Sequence, residues 1–358
     1  MKELTALDIF YLVKEFQILK DSKVDQIFQP SSNVLIRIHS PNTGKKIIHI
    51  NKNFIFLTDF KGDQPINPKQ FCMSLRKHIK NARIRSIEQV SFERVIKFEI
   101  ENRDQKMFLY VELFSKGNSI LTDESNKIIN SLHKDQLKNI ITGQIYNPPI
   151  KDYELNNLNL SKFKEMLRES DKSLVKTLAI DLGLGGDYSE FVLEGFDKDS
   201  ISKEMKVKDM ESLFKKISSL IKHDVKPSLL NERIVPFETD NKLKFETFSE
   251  AISDMLTEEL KEEEQKTIMK PFNDKKSKVE KIVKMQTEAV KKLENNAEEA
   301  KLKGELIYNN YQIVEDIIKQ INEAKKKLTW KEIKDKLKGH KIIKNIDEKN
   351  MTVEVELK

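Results

Sequence analysis

Apolar residues recur along this chain in three rhythms, each diagnostic of a different kind of element. Residues 3–20 carry Leu4, Leu7, Ile9, Phe10, Leu12, Val13 and Phe16 at helical spacing, which predicts an amphipathic helix. Short alternating runs then predict strands at 24–28, 34–39, 45–50 and 53–57, with Gln29-Pro30-Ser31 supplying turn chemistry between the first two. A helical run at 69–80 separates this meander from a second one at 84–90, 95–101, 107–113, 119–122 and 128–133. Two antiparallel sheets with a helix between them in sequence suggest an α+β fold built on a β-sandwich flanked by helices. Pro148-Pro149 punctuates the chain. From 160 to 221 the pattern is helical, an extended stretch covers 233–245, and another helix runs over 248–264.

The third rhythm is a heptad. Val290, Leu293, Ala297, Ala300, Gly304, Ile307, Tyr311, Val314, Ile318, Ile321 and Leu328 step by three and four within a repeat spanning 283–328, with Lys325 as the one break in the series. Sustained over more than three or four repeats, this predicts a coiled-coil helix. At about 1.5 Å per residue the arm would reach on the order of 70 Å, too long for the interior of a compact domain. It serves equally as a dimerising coil or as one leg of an intramolecular antiparallel arm. Pro271 is expected to break the chain before the heptads begin.

Residues 342–346 and 352–357 read as two strands around Asp347-Glu348-Lys349-Asn350. A lone hairpin is marginal in water, and the return leg of an antiparallel coil is missing, so the chain reads as part of a longer protein. The expected organisation is a β-sandwich domain at 1–150, a helical domain at 151–226, a connecting strand and helix at 227–270, the arm at 271–338 and a small hairpin at 339–358.

Composition narrows the functional classes. The formal net charge is +6 and Cys72 is the lone cysteine, so a disulfide scaffold and a cysteine zinc cage are excluded and a reducing cytoplasm is expected. No apolar run approaches the roughly 20 residues that span a bilayer, and no membrane partner is expected. The six histidines are scattered without metal-ligand spacing, no GxxxxGK[ST] loop occurs, and Cys72 with His78 lacks an orienting third group. No cofactor, metal or catalysis by this chain is expected.

Positive charge is clustered rather than abundant. From residue 64 to residue 87 no acidic residue occurs, while Lys69, Arg76, Lys77, Lys80, Arg83 and Arg85 all fall there. On a helix, Arg76, Lys80 and Arg83 would share one face and neutralise several phosphates. Near the arm's end a lysine-rich stretch includes Lys331 and Lys334, with Trp330 among them as a stacking platform for a base. Leu182-Gly183-Leu184-Gly185-Gly186-Asp187 interrupts the helical region with three glycines in four positions, each costing about 1 kcal/mol inside a helix. It predicts a tight turn with Asp187 as N-cap of a helix from Tyr188, its amides facing outward toward a phosphate oxygen. An ordinary helix–helix turn fits the spacing equally well, and a solvated face fits either charge run.

Three ordered motifs carry a resemblance. The runs 71–78 (FCMSLRKH), 86–94 (SIEQVSFER) and 112–118 (ELFSKGN) are similar to the N-terminal domain of the NFACT family, which includes RqcH, NEMF and proteins labelled fibronectin-binding protein A. The 182–190 segment resembles that family's helix-two-turn-helix, shared with the Fpg/MutM glycosylase fold, and the length of the glycine-rich insert and the Lys116-Gly117-Asn118 form of the third motif look nearest to archaeal members. The resemblance implies an Fpg/MutM-like sandwich domain, a helix-two-turn-helix domain and a long coiled-coil arm. It also implies ribosome-associated quality control: binding of a large ribosomal subunit obstructed by peptidyl-tRNA, and recruitment of tRNA, alanyl in RqcH-like members, for template-free C-terminal tailing. The ribosome supplies peptidyl transfer.

The family's early Asp matches Asp8, and its Asp-Arg pair matches Glu93-Arg94, with Glu in place of Asp. The expected tRNA contacts are therefore Asp8, Glu93, Arg94, Arg76, Lys77, Lys80 and Arg83; the turn contributes Gly183, Gly185, Gly186 and Asp187; the arm tip contributes Trp330, Lys331 and Lys334. DNA is not an expected partner, because Met1-Lys2-Glu3 replaces a glycosylase's N-terminal Pro-Glu pair. The competing reading is a coiled-coil adaptor that binds a protein without touching RNA.

Overall fold

The computed structural model describes residues 3–357 except 42, 61–66 and 104, and except the side chains of 259–260, 263–268 and 270–271. Met1 and Lys2, at the glycosylase nucleophile position, lie outside the described residues. The chain divides into two compact units, 1–268 and 269–358.

The first unit opens with helix α1, Ala6–Phe16. Strands β1 (Lys23–Phe28), β2 (Val34–Ser40), β3 (Gly44–Ile50) and β4 (Ile55–Thr58) form one antiparallel meander. Helix α2, Gln70–Ile79, leads to the second: β5 (Arg83–Gln89), β6 (Val95–Asn102), β7 (Gln105–Glu112), β8 (Asn118–Asp123) and β9 (Ile128–Ser131). The α+β fold is the expected one, two antiparallel meanders on a shared core, with one feature added: the meanders are also hydrogen-bonded to each other. β1 and β5 meet at Lys23 and Arg83, which joins all the strands into one nine-stranded sheet, β4-β3-β2-β1-β5-β6-β7-β8-β9. The join is short, so each half keeps its own meander and both turn apolar residues into one core: Ile36, Ile38 and Ile48 from the first half, Ile84, Phe98, Ile100 and Leu109 from the second.

A second core follows in sequence, built on α3 (Leu160–Glu169), α4 (Leu174–Lys176), a π-turn at Thr177–Asp181, α5 (Gly186–Val192) and α6 (Val207–Leu220). Helix α1 belongs to both cores. Leu4, Ile9, Leu12 and Phe16 pack under the sheet, whereas Ala6, Leu7 and Tyr11 pack with Phe163, Leu184 and Tyr188. Beyond α6 lie β10 (Ser228–Leu230), β11 (Arg233–Val235) and β12 (Asn241–Lys242), a small antiparallel sheet whose Val235 joins the helical core and whose Ile234 joins the sheet core.

Helix α7 runs from Phe248 to Asn309, 62 residues. Its first amides, Phe248 N and Ser249 N, donate to the half-buried Glu15 carboxylate of α1, and Ile252 and Leu256 complete the sheet core. The expected break at Pro271 does not occur: α7 continues through that position, because a proline forfeits one ladder hydrogen bond and a helix this long has many others.

In the second unit the arm is not one uninterrupted helix over 283–328. α7 stops at Asn309, Asn310 leaves helical geometry at φ −112° and ψ 27°, and α8 begins at Tyr311 and ends at Lys325. Along α7 the apolar stripe is exposed, Val290 by 52% and Leu293 by 66%. The terminal hairpin, β13 (Ile343–Asp347) and β14 (Thr352–Val355), escapes the instability of a lone hairpin by packing on α8 and α9 (Trp330–Lys336). Ile317, Ile321, Ile333, Ile343 and Ile346 make that small core.

Candidate nucleic-acid interface

Three segments far apart in sequence meet at the start of α1. Thr5 is the N-cap: its hydroxyl accepts from Asp8 N at 3.3 Å while the Asp8 carboxylate accepts from Thr5 N at 2.7 Å, a reciprocal box that satisfies two orphan donors. The same carboxylate accepts the Tyr188 hydroxyl from α5 and Arg233 Nη2 from β11. Arg233 Nη1 reaches Asp187 at 2.9 Å, and the guanidinium lies 5.2 Å from the centre of the Tyr188 ring. Asp8 and Tyr188 are fully buried. Burial, and then the Asp8 charge, push the Tyr188 hydroxyl well above its ordinary range, so it stays a donor. Burial opposes the Arg233 charge, but Asp8 and Tyr188 together outweigh it and the guanidinium remains ionised. A buried pair of this kind loses about 3–5 kcal/mol when one partner is removed; here it clamps α1, α5 and β11 together.

The glycine-rich turn is pressed onto this clamp. Gly185, at φ +77°, is the N-cap of α5, and a Cβ there would come 2.7 Å from Thr5 Cγ2. Asp187 is thus not the N-cap: α5 starts at Gly186, and Asp187 sits in its first turn, held by Arg233. Nor do the turn's amides all face outward, since Leu184 N and Gly185 N donate to the carbonyls of Leu178 and Ala179. The turn supports α1 more than it cradles an anion.

Glu93 and Arg94 come from the turn between β5 and β6. Ser91 and Phe92 adopt left-handed φ of 47° and 50°, which drives the Phe92 ring into the helical core. Gln89 Nε2 fastens this turn to α1 by donating to Ala6 O at 2.8 Å and Glu93 O at 2.9 Å. The Glu93 carboxylate lies 3.6 Å from Lys151 Nζ and accepts Arg94 N at 3.3 Å; Arg94 Nη1 reaches Glu3 at 2.8 Å. Burial lowers the Lys151 ammonium pKa and Glu93 works in the opposite direction. Arg94 and Glu3 remain partly exposed, and an exposed pair is worth only about 0–1 kcal/mol. An incoming phosphate can take the place of Glu3 on that guanidinium, which presents a planar fork matched to phosphate oxygens.

Asp8, Glu93, Arg94, Gly183, Gly185, Gly186 and Asp187 therefore converge at one place. Asp8 is sealed, so its part there is to position its neighbours. Glu3, Thr5, Lys151, Tyr188 and Arg233 belong to the same place and were not among the contacts expected from sequence. Arg233 carried a faint signal, a charged residue opening an otherwise apolar strand; Lys151 carried none.

The basic cluster is elsewhere and is not one helical face. α2 ends at Ile79 because Asn81 turns the chain at φ 67°, leaving Lys80 as C-cap and Arg83 as the first residue of β5. Arg76 is partly buried, donating to Ile27 O at 2.8 Å beside the Phe28 ring, and Arg85 is paired with Asp21 and Glu101. Lys77 and Lys80 are exposed and have no ion pair among the described residues; Arg83, also exposed, donates to Asp21 O at 3.0 Å. At the tip, Trp330 packs on the small core with the Lys325 ammonium 4.7 Å from its ring centre, so it is not a free platform. Lys331 is exposed and Lys334 lies 3.7 Å from Glu348. Among the described residues no three His, Cys, Asp or Glu side chains gather to hold a metal, and no helix is long and apolar enough to cross a membrane.

The profile of the NFACT N-terminal and middle domains matches residues 5–357. The chain belongs to the NFACT family. Among NFACT proteins it is 31% identical over 347 residues to the archaeal Rqc2 homolog aRqcH of Methanocaldococcus jannaschii, covering 87% of this chain and 51% of that protein. It is 26% identical over 324 residues to the ribosome quality control complex subunit NEMF of Homo sapiens, covering 78% and 30%. This chain thus spans about half the length of the archaeal relative and less of the human one. The solved N-terminal part of the fibronectin/fibrinogen-binding protein from Streptococcus suis aligns with a TM-score of 0.58 at 21% identity, over 72% of this chain and all of that structure, which shows that the α+β NFACT fold is shared.

Proposed function

We propose that this NFACT chain acts in ribosome-associated quality control, binding a large ribosomal subunit obstructed by peptidyl-tRNA and recruiting a charged tRNA, alanyl-tRNA in the first instance, for template-free extension of the stalled chain. Peptide-bond formation stays with the ribosome and this chain acts by binding in the cytoplasm. The observation that carries the reading is the meeting of Arg94 and Lys151 on the clamped start of α1: two cations held in place by Glu93 and Glu3, with one carboxylate exchangeable for phosphate. The names of the archaeal and human relatives support it.

Glu in place of Asp at position 93 fits the geometry, because one carboxylate oxygen faces the Lys151 ammonium while the other accepts the Arg94 amide. The exposed apolar stripe of α7 favours a second reading, an adaptor that holds a protein partner through that helix. Co-sedimentation with obstructed large subunits and binding of charged tRNA, each across a salt series, separates the two. RNA recognition weakens linearly in log salt with a slope set by the phosphates neutralised, whereas an apolar interface is nearly insensitive. A flat salt response would refute the RNA reading.

A further inference from the structure

A second candidate site lies on the first unit, away from the α1 clamp. The turn between β3 and β4 and the turn between β7 and β8 border a small, open surface cleft whose lining includes Lys52, Lys116, His133 and Ser119, and no carboxylate. The two turns are in close contact: Gly117, at φ +66°, lies so near the Lys52 backbone that a Cβ there would come 2.4 Å from Lys52 Cα. Lys52 and Lys116 are exposed and have no ion pair among the described residues. Ser119 is 1% exposed and its hydroxyl has no hydrogen-bond partner there, an orphaned donor of the kind buried polar groups ordinarily avoid. Two lysines with no ion pair among the described residues, a histidine and an orphaned hydroxyl line one cleft, a set of residues suited to a tetrahedral oxyanion.

Position ties the cleft to the RNA reading. Asn53, next to Lys52, accepts Leu4 N at 3.2 Å, and Leu113 N, at the start of the β7–β8 turn, donates to Arg94 O at 2.9 Å. Both rims of the cleft are therefore fastened to the segments that carry Glu3 and Arg94. We propose that the Lys52–Lys116–His133 cleft binds a phosphate group of the RNA backbone, a second contact for the strand that meets Arg94; in naming RNA the inference rests on the function proposed above.

The test uses the full chain and the Lys52→Ala/Lys116→Ala double variant. tRNA affinity is measured across a salt series, and lysine acylation is mapped by mass spectrometry with tRNA, with inorganic phosphate, or with neither. Both lysines are exposed, so thermal melting should be unchanged, and Lys52→Arg/Lys116→Arg should retain binding. The expected result is protection of Lys52 and Lys116 by tRNA at concentrations where inorganic phosphate protects weakly. The double alanine variant should bind tRNA about tenfold more weakly at low salt, with the slope against log salt reduced by about one phosphate's worth.

Unchanged affinity and no protection, in a protein whose tRNA binding still falls on Arg94→Ala, would overturn the cleft and leave the RNA reading intact. Protection by inorganic phosphate in a protein that binds no tRNA would support the oxyanion site and remove RNA as its source. Neither binding nor protection would overturn both.

Discussion

Arg233 and Lys77 are both cations of the same compact unit, and they meet opposite fates. Arg233 is buried against Asp8, Asp187 and Tyr188, with its charge answered on every side that the structure describes except Nε. Lys77 stands on the exposed side of α2 with no carboxylate paired to it among the described residues. Burying a charge costs several kcal/mol and is tolerated only with partners in place, so a charge kept inside organises structure. An exposed charge costs little and is available to a ligand. Arg94 and Lys151 lie between the extremes: partly buried, each with one carboxylate, held in position but not saturated. That intermediate state suits a cation that must be preorganised and still exchange its partner for phosphate.

The contrast can be broken most severely at the buried end. Arg233→Met leaves the Asp8 carboxylate uncompensated and should lower unfolding stability by about 3–5 kcal/mol in urea titrations; a loss below about 1 kcal/mol would mean the clamp holds nothing together. Next comes a buried base with no partner. Burial drops the His49 pKa from 6.5 to about 4, so below pH 6.5 the unfolded chain takes up a proton that the native state refuses. Stability should therefore fall as pH drops from about 6.5 to 4, by about 3 kcal/mol in all, and level off below. His49→Leu should flatten that part of the urea midpoint profile relative to the wild type.

Smaller effects sharpen the intermediate and exposed ends. Arg94→Ala removes a charge-assisted contact worth about 1.5–3 kcal/mol, so tRNA affinity should fall by one to two orders of magnitude while the melting temperature barely moves. Lys77→Glu/Lys80→Glu should change stability by no more than about 0.5 kcal/mol and weaken tRNA binding only severalfold, with a shallower salt slope. If the reversal at Lys77 and Lys80 outweighs Arg94→Ala, the principal RNA surface is α2 and not the start of α1.

Much of the architecture was legible because periodicity reports which face is apolar. Both meanders, α2 and the helical region stand close to where alternation and helical spacing put them, and the arm is helical as its heptads require, though its ends fall elsewhere. Periodicity does not report what covers a face. α1 proved to be buried on two sides, with Tyr11 and Ala6 turned into a second core, and the α7 stripe remains exposed although its spacing is as regular. Breaks were misjudged in both directions, since Pro271 did not stop α7 and Asn310, with no strong breaker beside it, did. At the candidate site the resemblance led to Asp8, Glu93 and Arg94. Their partners Lys151, Tyr188 and Arg233 are 58 to 225 residues away in sequence, and only the fold brings them together.

The most direct test of an RNA-facing start of α1 is ultraviolet crosslinking of the full-length protein to tRNA on obstructed large subunits, followed by mass spectrometry of the RNA-linked peptides. The account predicts links to peptides containing Glu93-Arg94 and Lys151, strongly reduced by Arg94→Ala. Links confined to α7 and the residues after it, or links to the Lys151 peptide and overall tRNA crosslinking that Arg94→Ala leaves unchanged, would contradict it.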